Sequence, residues 1–392
     1  MFVKSYFANG SNLNPSCNLL DEADNCTGGG SVVNETVKVA LVGCGAVSQL
    51  YYTPALQELE KNELLQVKAL FDPNPDSVAQ LNQSFPAATT IKNLAEISTN
   101  NIDLAIIASP PRFHAEQTIK LLKSGISVLC EKPMADTVAE AEAMIEAASE
   151  SSGILAIGLF RRFFPATQTI HQILSRNMLG EVTSFYFSEG GYFQWPVQSP
   201  AYFQKSSAGG GVLLDIGVHL LDLTIWWMGE PVEVIYEDDA MGGIDVNCRI
   251  QCKFERGFTG EVRLSRDCDL PNRYVIRGTK GWLCWDVNEA DKIQMGVEGS
   301  RFAINVQLHE IDTQNLFPKL GQPSFNFEQS FTSQICNVVA AMRGEETLIV
   351  PGEEGIRSLR LIESCYRHRN LMSMPWFSEA ELTRAQQLSS GG

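Results

Sequence analysis

Five short apolar runs, separated by segments of helical character, constrain the fold of this chain more than any other feature of its sequence. Each is rich in Val, Ile, Leu or Ala, and they cover 37–43, 64–71, 102–109, 127–133 and 154–160. Such runs are expected for strands buried on both faces of a parallel sheet. Because helical stretches lie between them, the sequence predicts right-handed βαβ units and a doubly wound α/β domain over 36–160.

The pattern changes after this first domain. An interrupted helix at 211–228 is followed, from about residue 232, by long segments in which apolar and polar residues alternate between tight turns. This alternation is typical of an antiparallel sheet with one covered face, so a second domain of α+β type is predicted over 161–392. Its last helices, about 353–370, are expected to pack back on the first domain. Residues 1–35 are polar and end in glycines, and we predict a flexible tail there.

Charge and cysteine content exclude several classes of protein. The 392 residues include 46 acidic and 30 basic side chains, giving a net charge of −16, which repels nucleic acid and anionic membrane surfaces. The ten cysteines contain no C-x-x-C pair, so we predict no metal site and reduced thiols in a cytoplasmic protein. The N-terminus lacks the apolar core of a secretory signal, and charged residues interrupt the most apolar run, 211–229.

Between the first apolar run and the helix after it stand Gly43, Gly45 and Ser48, spaced nearly as in the G-x-G-x-x-G/A fingerprint of dinucleotide-binding turns. The first glycine permits the tight turn, and the second lets a pyrophosphate approach the backbone. The start of the helix offers N–H groups and the positive end of a dipole. A small serine in the third position still allows helix and strand to pack closely. A glycine turn without a ligand is the alternative.

Asp72 ends the second apolar run, at the place where the adenosine ribose of a bound dinucleotide would lie. A carboxylate there accepts hydrogen bonds from the ribose hydroxyls and repels a 2′-phosphate. Asp72 therefore favours NAD over NADP, although NADP stays open. The alternative role is that of a helix cap before Pro73.

Two later motifs supply groups that the oxidation of an alcohol needs. Lys132 ends the fourth run, at the sheet edge where ligands bind, and its ammonium group can stabilise an oxyanion. Asp215 and His219 follow a glycine triplet that suits a backbone turning close to a ligand, and their spacing places them on one helix face. His219 can act as a general base near neutral pH, and a hydrogen-bonded core histidine is the alternative. His114, after Ser109 and two prolines, is predicted to line the same cleft.

The segments GCGAVS, SPPRFH, VLCEKP and GGGVLLDIGVH, in this order, resemble the motifs of the Gfo/Idh/MocA oxidoreductases, and the resemblance covers roughly 37–366. It implies an N-terminal Rossmann domain and a C-terminal domain with a large, mainly antiparallel open sheet, which often forms the oligomer interface. It also implies hydride transfer between NAD(P) and a hydroxyl or carbonyl of a sugar, sugar nucleotide or cyclitol. A homo-oligomer, dimer or tetramer, is expected.

The resemblance assigns catalytic roles to Lys132, Asp215 and His219. His219 would take the hydroxyl proton, while Asp215 would orient the imidazole or hold a neighbouring hydroxyl. Arg162 resembles an arginine near the nicotinamide and the substrate, with Arg161 as the alternative. The residues expected to bind the cofactor are Gly43, Gly45, Ala46, Val47, Asp72, Ser109, Pro110, His114, Glu131, Lys132 and Arg162.

Other functions stay open beside this one. A non-catalytic NAD-binding regulatory protein can use the same scaffold, but such relatives usually lose the lysine or the histidine, and this chain has Lys132 and His219. An NAD-dependent glycoside hydrolase is a further alternative, as is the reduction of a dihydrodiol or a tetrapyrrole.

Overall fold

The computed structural model describes residues 35–97, 101–194, 204, 209–312, 317–318, 324–373 and 378–390. The tail predicted over 1–35 lies outside the described residues, apart from Glu35. The described residues form two large sheets with helices packed around them, and one continuous cluster of buried side chains runs through both halves of the molecule.

The first sheet has six strands: β1 Val37–Val42, β2 Leu65–Phe71, β3 Thr89–Thr90, β4 Leu104–Ile107, β5 Ser127–Glu131 and β6 Leu155–Gly158. Every neighbouring pair is parallel, and the order β3-β2-β1-β4-β5-β6 is that of a Rossmann sheet. The connecting helices are α1 Thr53–Lys61, α2 Pro75–Ser84, α3 His114–Lys123 and α4 Val138–Ser149. The predicted doubly wound fold is confirmed. All residues of β4 and β5 are buried, as continuous apolar runs predict.

The second sheet has nine strands: β7 Val182–Gly190, β8 Glu233–Asp238, β9 Asn247–Lys253, β10 Thr259–Ser265, β11 Arg273–Gly278, β12 Gly281–Asp286, β13 Lys292–Val297, β14 Ala303–Gln307 and β17 Asn370–Leu371. Two pairs, β7 with β10 and β8 with β17, are parallel, and the other pairs are antiparallel. Buried and more accessible residues alternate along β11 and β12, so one face is covered, as predicted. A separate pair consists of β15 Ile311–Asp312 and β16 Phe317–Pro318.

In the described part of this half there are five helices: α5 Pro165–Ser175, α6 Val218–Met228, α7 Phe327–Met342, α8 Gly352–Arg367 and α9 Glu379–Ser390. α8 contacts β6 of the first sheet. Just before this helix, the carbonyl of Val350 accepts from the N–H of Ile157 in β6 over 3.0 Å. The backbone N–H of Val138, at the start of α4, donates to the carboxylate of Glu363 over 3.1 Å. The predicted domain boundary at residue 160 stays a prediction.

Two of the described helices begin with a π-helical turn. Ser48–Tyr52 leads directly into α1, and Leu213–Gly217 leads directly into α6. Turns of this kind are frequent at functional sites because they shift the side chains that follow them. One turn follows the predicted dinucleotide motif, and the other carries Asp215 two residues after its start.

Candidate active site

The glycine turn after β1 leaves room for a ligand. Gly43 has φ +94°, and a Cβ atom built on it would lie 2.5 Å from the backbone nitrogen of Ser109, so only glycine fits between the two loops. A Cβ built on Gly45 would meet nothing within 4 Å. The open space faces the backbone at the position where a pyrophosphate is expected, and the turn therefore fits a dinucleotide.

Ser48 occupies the third position of the fingerprint and closes the turn. Its side chain is fully buried, and its hydroxyl donates to the carbonyl of Gly43 over 2.6 Å. Ala46 and Val47, which precede it, are half-buried. The serine thus replaces a glycine or alanine without preventing close packing of helix on strand.

Asp72 connects the end of β2 to this turn. One carboxylate oxygen accepts from the backbone N–H of Cys44 and the other from that of Asn74, both over 2.8 Å. The helix cap is Asn74, whose side chain accepts from Asp76, so the alternative role for Asp72 as the cap of α2 is not what the structure shows. A carboxylate has about four lone-pair positions, and two hydrogen bonds leave Asp72 able to accept from ribose hydroxyls.

His114 lies inside the protein and does not line the cleft as predicted. Its ring is 1% exposed, and its two nitrogens lie 2.9 Å from the carbonyl oxygen of Pro133 and 2.7 Å from that of Ser109. Burial lowers the pKa of His114, against the effect of these carbonyls. The imidazole lies between the loop after β4 and the loop after β5, within hydrogen-bond distance of one carbonyl of each.

Glu131 is likewise a supporting residue in this structure, although the motif predicts cofactor contact. The carboxylate is 6% exposed, accepts from the hydroxyl of Tyr52 over 2.7 Å and accepts from the backbone N–H of Lys132 over 3.1 Å. Burial raises the pKa of Glu131. It fixes the backbone from which the Lys132 side chain departs, and Tyr52 is a partner that no sequence motif signalled.

Lys132 and Asp215 meet across 83 residues of sequence. The ammonium nitrogen lies 2.9 Å from the carbonyl oxygen of Asp215 and 3.2 Å from its carboxylate. The other carboxylate oxygen of Asp215 accepts from the guanidinium of Arg266, at the end of β10. Asp215 therefore holds two cations together, and the side chains of Lys132 and Asp215 remain 20% and 28% exposed.

His219 stands in the first turn of α6, near this group. It is 4% exposed, its ring packs edge-on against Phe160 with centroids 4.7 Å apart, and its Nδ1 has no hydrogen-bond partner among the described residues. The predicted orientation of the imidazole by Asp215 is therefore not made at Nδ1. Burial, with the charges of Lys132 and Arg161, holds the pKa of His219 well below its usual value of 6.5. These effects favour the neutral imidazole, which is the form that can accept a proton.

Of the two adjacent arginines, Arg161 and not Arg162 faces the site. Arg162 is 1% exposed and lies between Asp222 of α6 and Glu354 of α8, with its terminal nitrogen 2.6 Å and 2.9 Å from their carboxylates. The 3-10 turn Phe160–Phe163 directs neighbouring side chains to different sides. The assignment of Arg162 to the nicotinamide is therefore corrected. Arg162 instead forms ion pairs in the protein core with Asp222 and Glu354.

The glycine triplet before Asp215 packs against protein. A Cβ built on Gly210 would lie 2.4 Å from the hydroxyl oxygen of Tyr366, and one built on Gly211 would lie 1.9 Å from the carbonyl oxygen of Asp245. The carboxylate of Asp245 also accepts from the backbone N–H groups of Gly211 and Leu213. The predicted close approach is correct, but the backbone approaches Asp245 and Tyr366 and not a ligand.

A cavity of about 640 Å³ lies next to Arg266, within the range of roughly 300–1,000 Å³ typical of small-molecule sites, and its lining does not include Lys132, Asp215 or His219. It opens beside Ile216, the neighbour of Asp215 in sequence, and its lining includes Arg161, Glu189, Tyr192, Ile216, Arg266 and Phe327. Sequence reasoning missed Glu189 and Arg266, because neither belongs to a motif. Both reach the same cavity because β7 lies beside β10.

Within the described ranges, no group of three His, Cys, Asp or Glu side chains could hold a metal ion. The eight cysteines there are free thiols. A search of the helices in the same part of the chain found none with the length and apolar character needed to cross a membrane.

Comparison with known families identifies two regions of the chain. Residues 37–159 match an oxidoreductase family described by its NAD-binding Rossmann fold, and residues 167–284 match the GFO/IDH/MocA C-terminal domain. Among curated proteins, scyllo-inositol 2-dehydrogenase (NADP(+)) IolW of Bacillus subtilis (strain 168) is 27% identical over 201 residues, which are 51% of this chain and 54% of that protein. The chain thus matches about half the length of this relative.

Solved structures extend the similarity to most of the chain. An aldose-aldose oxidoreductase from Caulobacter crescentus, complexed with glycerol, superposes with a TM-score of 0.72 at 25% identity and covers 85% of this chain and 97% of its own. A levoglucosan dehydrogenase in complex with NADH and levoglucosan superposes with a TM-score of 0.73 at 20% identity, over 85% and 97% of the two chains. The second likeness shows the shared fold.

Proposed function

This chain belongs to the Gfo/Idh/MocA oxidoreductase family, with an NAD-binding Rossmann domain, and we propose that it transfers a hydride between NAD(P) and a hydroxyl or carbonyl carbon of a sugar, sugar nucleotide or cyclitol. The names of its relatives, an inositol dehydrogenase and a glucoside 3-dehydrogenase of Escherichia coli (strain K12), support this class of substrate. The reaction is thus an oxidation of a CH–OH group, or its reverse.

The observation that carries the proposal is the meeting of Lys132 with the turn that leads to His219. Lys132 directly follows β5, at the carboxyl edge where open α/β sheets bind ligands, and it touches Asp215, four residues before His219. The cavity is lined by Ile216, which follows Asp215 in sequence, and by Arg266, which is paired with the Asp215 carboxylate. We therefore place the reacting hydroxyl between this cavity and the side chains of Lys132 and His219. A base for the hydroxyl proton and a cation for the developing alkoxide are the two groups that the oxidation needs.

Different site residues bind the cofactor and act on the reacting hydroxyl in this proposal. Gly43 and Gly45 would accommodate the pyrophosphate, and Asp72 would accept from the ribose. The bound NAD(P) supplies the hydride chemistry. His219 accepts the hydroxyl proton, Lys132 stabilises the negative charge on that oxygen, and Asp215 keeps the ammonium of Lys132 in place. Asp72 favours NAD, and the relative named for NADP(+) keeps both cofactors open.

We expect a homo-oligomer, a dimer or tetramer, in the cytoplasm. The free thiols suit a reducing compartment. Several apolar side chains of the second half are exposed, among them Tyr186 and Ile235 on β7 and β8, at 38% and 46%. An open sheet that presents such residues is a surface that association would cover.

A panel of sugars, sugar nucleotides and cyclitols, incubated with NAD or NADP and followed by absorbance at the nicotinamide band, tests the proposal. We expect net reduction of the cofactor with at least one neutral polyol. Tightly bound cofactor that never exchanges, with no net reduction, would instead favour the glycoside hydrolase. Binding of NADH with no turnover on any compound would favour the regulatory protein.

A further inference from the structure

We propose that Glu189 makes the cavity selective for neutral polyhydroxylated substrates, because it withholds Arg161 from anionic groups that a ligand would bring. This inference rests on the proposed function, since it concerns the substrate of the same site. The expected substrates therefore carry neither a phosphate nor a carboxylate group, and Glu189 is the residue that disfavours compounds with such groups.

Arg161 and Glu189 form a bidentate ion pair. The two terminal nitrogens of Arg161 donate to the two carboxylate oxygens of Glu189 over 2.5 Å and 3.0 Å, and the side chains are 13% and 7% exposed. The hydroxyl of Tyr274 also donates to Glu189. A bidentate pair of this kind fills the planar fork with which an arginine would otherwise grip a phosphate or carboxylate.

Charged side chains of both signs line the cavity. Among the described residues that line the cavity, the cations are Arg161 and Arg266, and the carboxylates are Glu189, Glu289 and Asp291. Arg266 is itself paired with Asp215. Glu289 is in turn paired with Lys292. Both guanidinium groups of the lining are thus occupied by carboxylates, so an anionic ligand would find no free guanidinium to bind it.

Neutral hydroxyl groups need no free guanidinium. They can donate to the carboxylates and accept from the amide groups of Asn272 and Asn288, which also line the cavity. The same surface therefore accepts a polyol and rejects its phosphorylated or oxidised counterpart. Glu189 acts here as a specificity-determining residue.

The experiment uses the protein saturated with NADH, so that the glycine turn is filled, and inorganic phosphate as the probe. Calorimetric titration of the wild-type protein should show no binding of phosphate in the cavity. Glu189→Gln keeps the shape of the side chain but removes its charge, and we expect phosphate to bind at least about tenfold more tightly than to the wild type. Glu142→Gln, which breaks an exposed pair with Arg360 at 3.0 Å, is the matched control and should show no gain.

A second readout compares D-glucose with D-glucuronate on the same proteins. Glu189→Gln should shift the ratio of their affinities toward glucuronate by about tenfold or more, and Glu142→Gln should leave it unchanged. Unchanged phosphate binding in Glu189→Gln, or an equal gain in the control, would overturn the inference. So would phosphate binding by the wild-type protein in competition with a neutral substrate, a result that needs no variant.

The outcomes also separate this inference from the proposed function. If no compound of the panel reduces the cofactor, hydride transfer to polyols is contradicted. Phosphate titration still decides whether Glu189 masks Arg161, because it requires no turnover.

Discussion

The imidazole of His219 has its pKa lowered first by burial and then by two cations, Lys132 and Arg161. A base must be neutral to accept a proton, so the rate of alcohol oxidation should fall only when the pH drops through this lowered pKa. We therefore expect kcat/KM for oxidation to show no loss assignable to His219 above pH about 6.5.

Removing one of those two cations should change the pKa of His219 in a predictable direction. Arg161→Gln takes away a cation and leaves Glu189 unbalanced, and both changes raise the pKa of His219. The acid limb of the rate profile should move to higher pH than in the wild type. Arg249→Gln, at an ion pair with Glu261, is the control and should leave the limb in place. An acid limb at the same pH in Arg161→Gln and in the wild type would contradict the claim that the charge of Arg161 lowers the pKa of His219.

The catalytic assignment itself is tested by substitution. His219→Asn and Lys132→Met should each lower turnover by about 10²–10⁴, because each removes a group that acts on the reacting hydroxyl. NADH affinity, followed by fluorescence titration, should change little. His368→Asn, at an exposed histidine after α8, is the matched control. Full turnover in both site variants would remove these residues from the mechanism.

At the residue scale, the structure brings Lys132 against Asp215, four residues before His219, while the catalytic roles of these three residues stay predictions. Prediction from the sequence failed for Arg162, because two adjacent arginines in a 3-10 turn cannot be assigned to sides without the turn's geometry. Glu189 carried no signal at all, since its pairing with Arg161 depends on tertiary packing.

At the scale of the element, the glycine turn after β1 separates a ligand contact from a folding requirement. A Cβ on Gly45 would enter open space, whereas one on Gly43 would clash with the backbone of the loop after β4. We expect Gly45→Ala to fold with an unchanged melting temperature but to bind NADH at least about tenfold more weakly. Gly43→Ala, its counterpart, should lose stability by about 1–3 kcal/mol or more from the left-handed backbone alone. Equal NADH affinity in Gly45→Ala and the wild type would remove the turn from the cofactor site.

The Arg162 ion pair joins three elements, the 3-10 turn Phe160–Phe163, α6 and α8. Arg162→Met leaves the carboxylate of Asp222 buried without its partner, which typically costs about 3–5 kcal/mol of unfolding free energy. Denaturant unfolding should show this loss, while NADH affinity of the folded protein stays within about twofold of the wild type. Arg360→Met, at an exposed pair, should have little effect on stability. A large loss of NADH affinity would return Arg162 to the cofactor site.

Elements were predicted more reliably than contacts, and the reason is physical. Continuous apolar runs such as β4 are buried on both faces, and each residue of such a run is itself apolar, so the sequence alone indicates the burial. The glycine triplet before Asp215 shows the limit. A glycine records that something comes close to the backbone, but Asp245 and Tyr366, which do so here, lie 34 and 155 residues away from Gly211.

At the scale of the whole molecule, the two sheets share one continuous buried core, and α8 contacts β6 and α4 as well as α6. Two parts joined in this way should not unfold independently. We expect a single calorimetric transition, in which NADH at about 100 times its Kd adds about 2.7 kcal/mol to the stability of the entire chain.

Gly355 offers a way to loosen that junction without touching the site. A Cβ on it would lie 2.5 Å from the side chain of Ile157 in β6, so Gly355→Val should push α8 away from the first sheet. The melting temperature should fall, and the transition should broaden or split because the two halves lose their shared packing. Glu353→Val, on the same helix but exposed, changes the sequence without this clash and serves as the comparison. Two separate transitions in the wild-type protein, with NADH shifting only one of them, would show that each half folds by itself and that α8 adds contact without coupling.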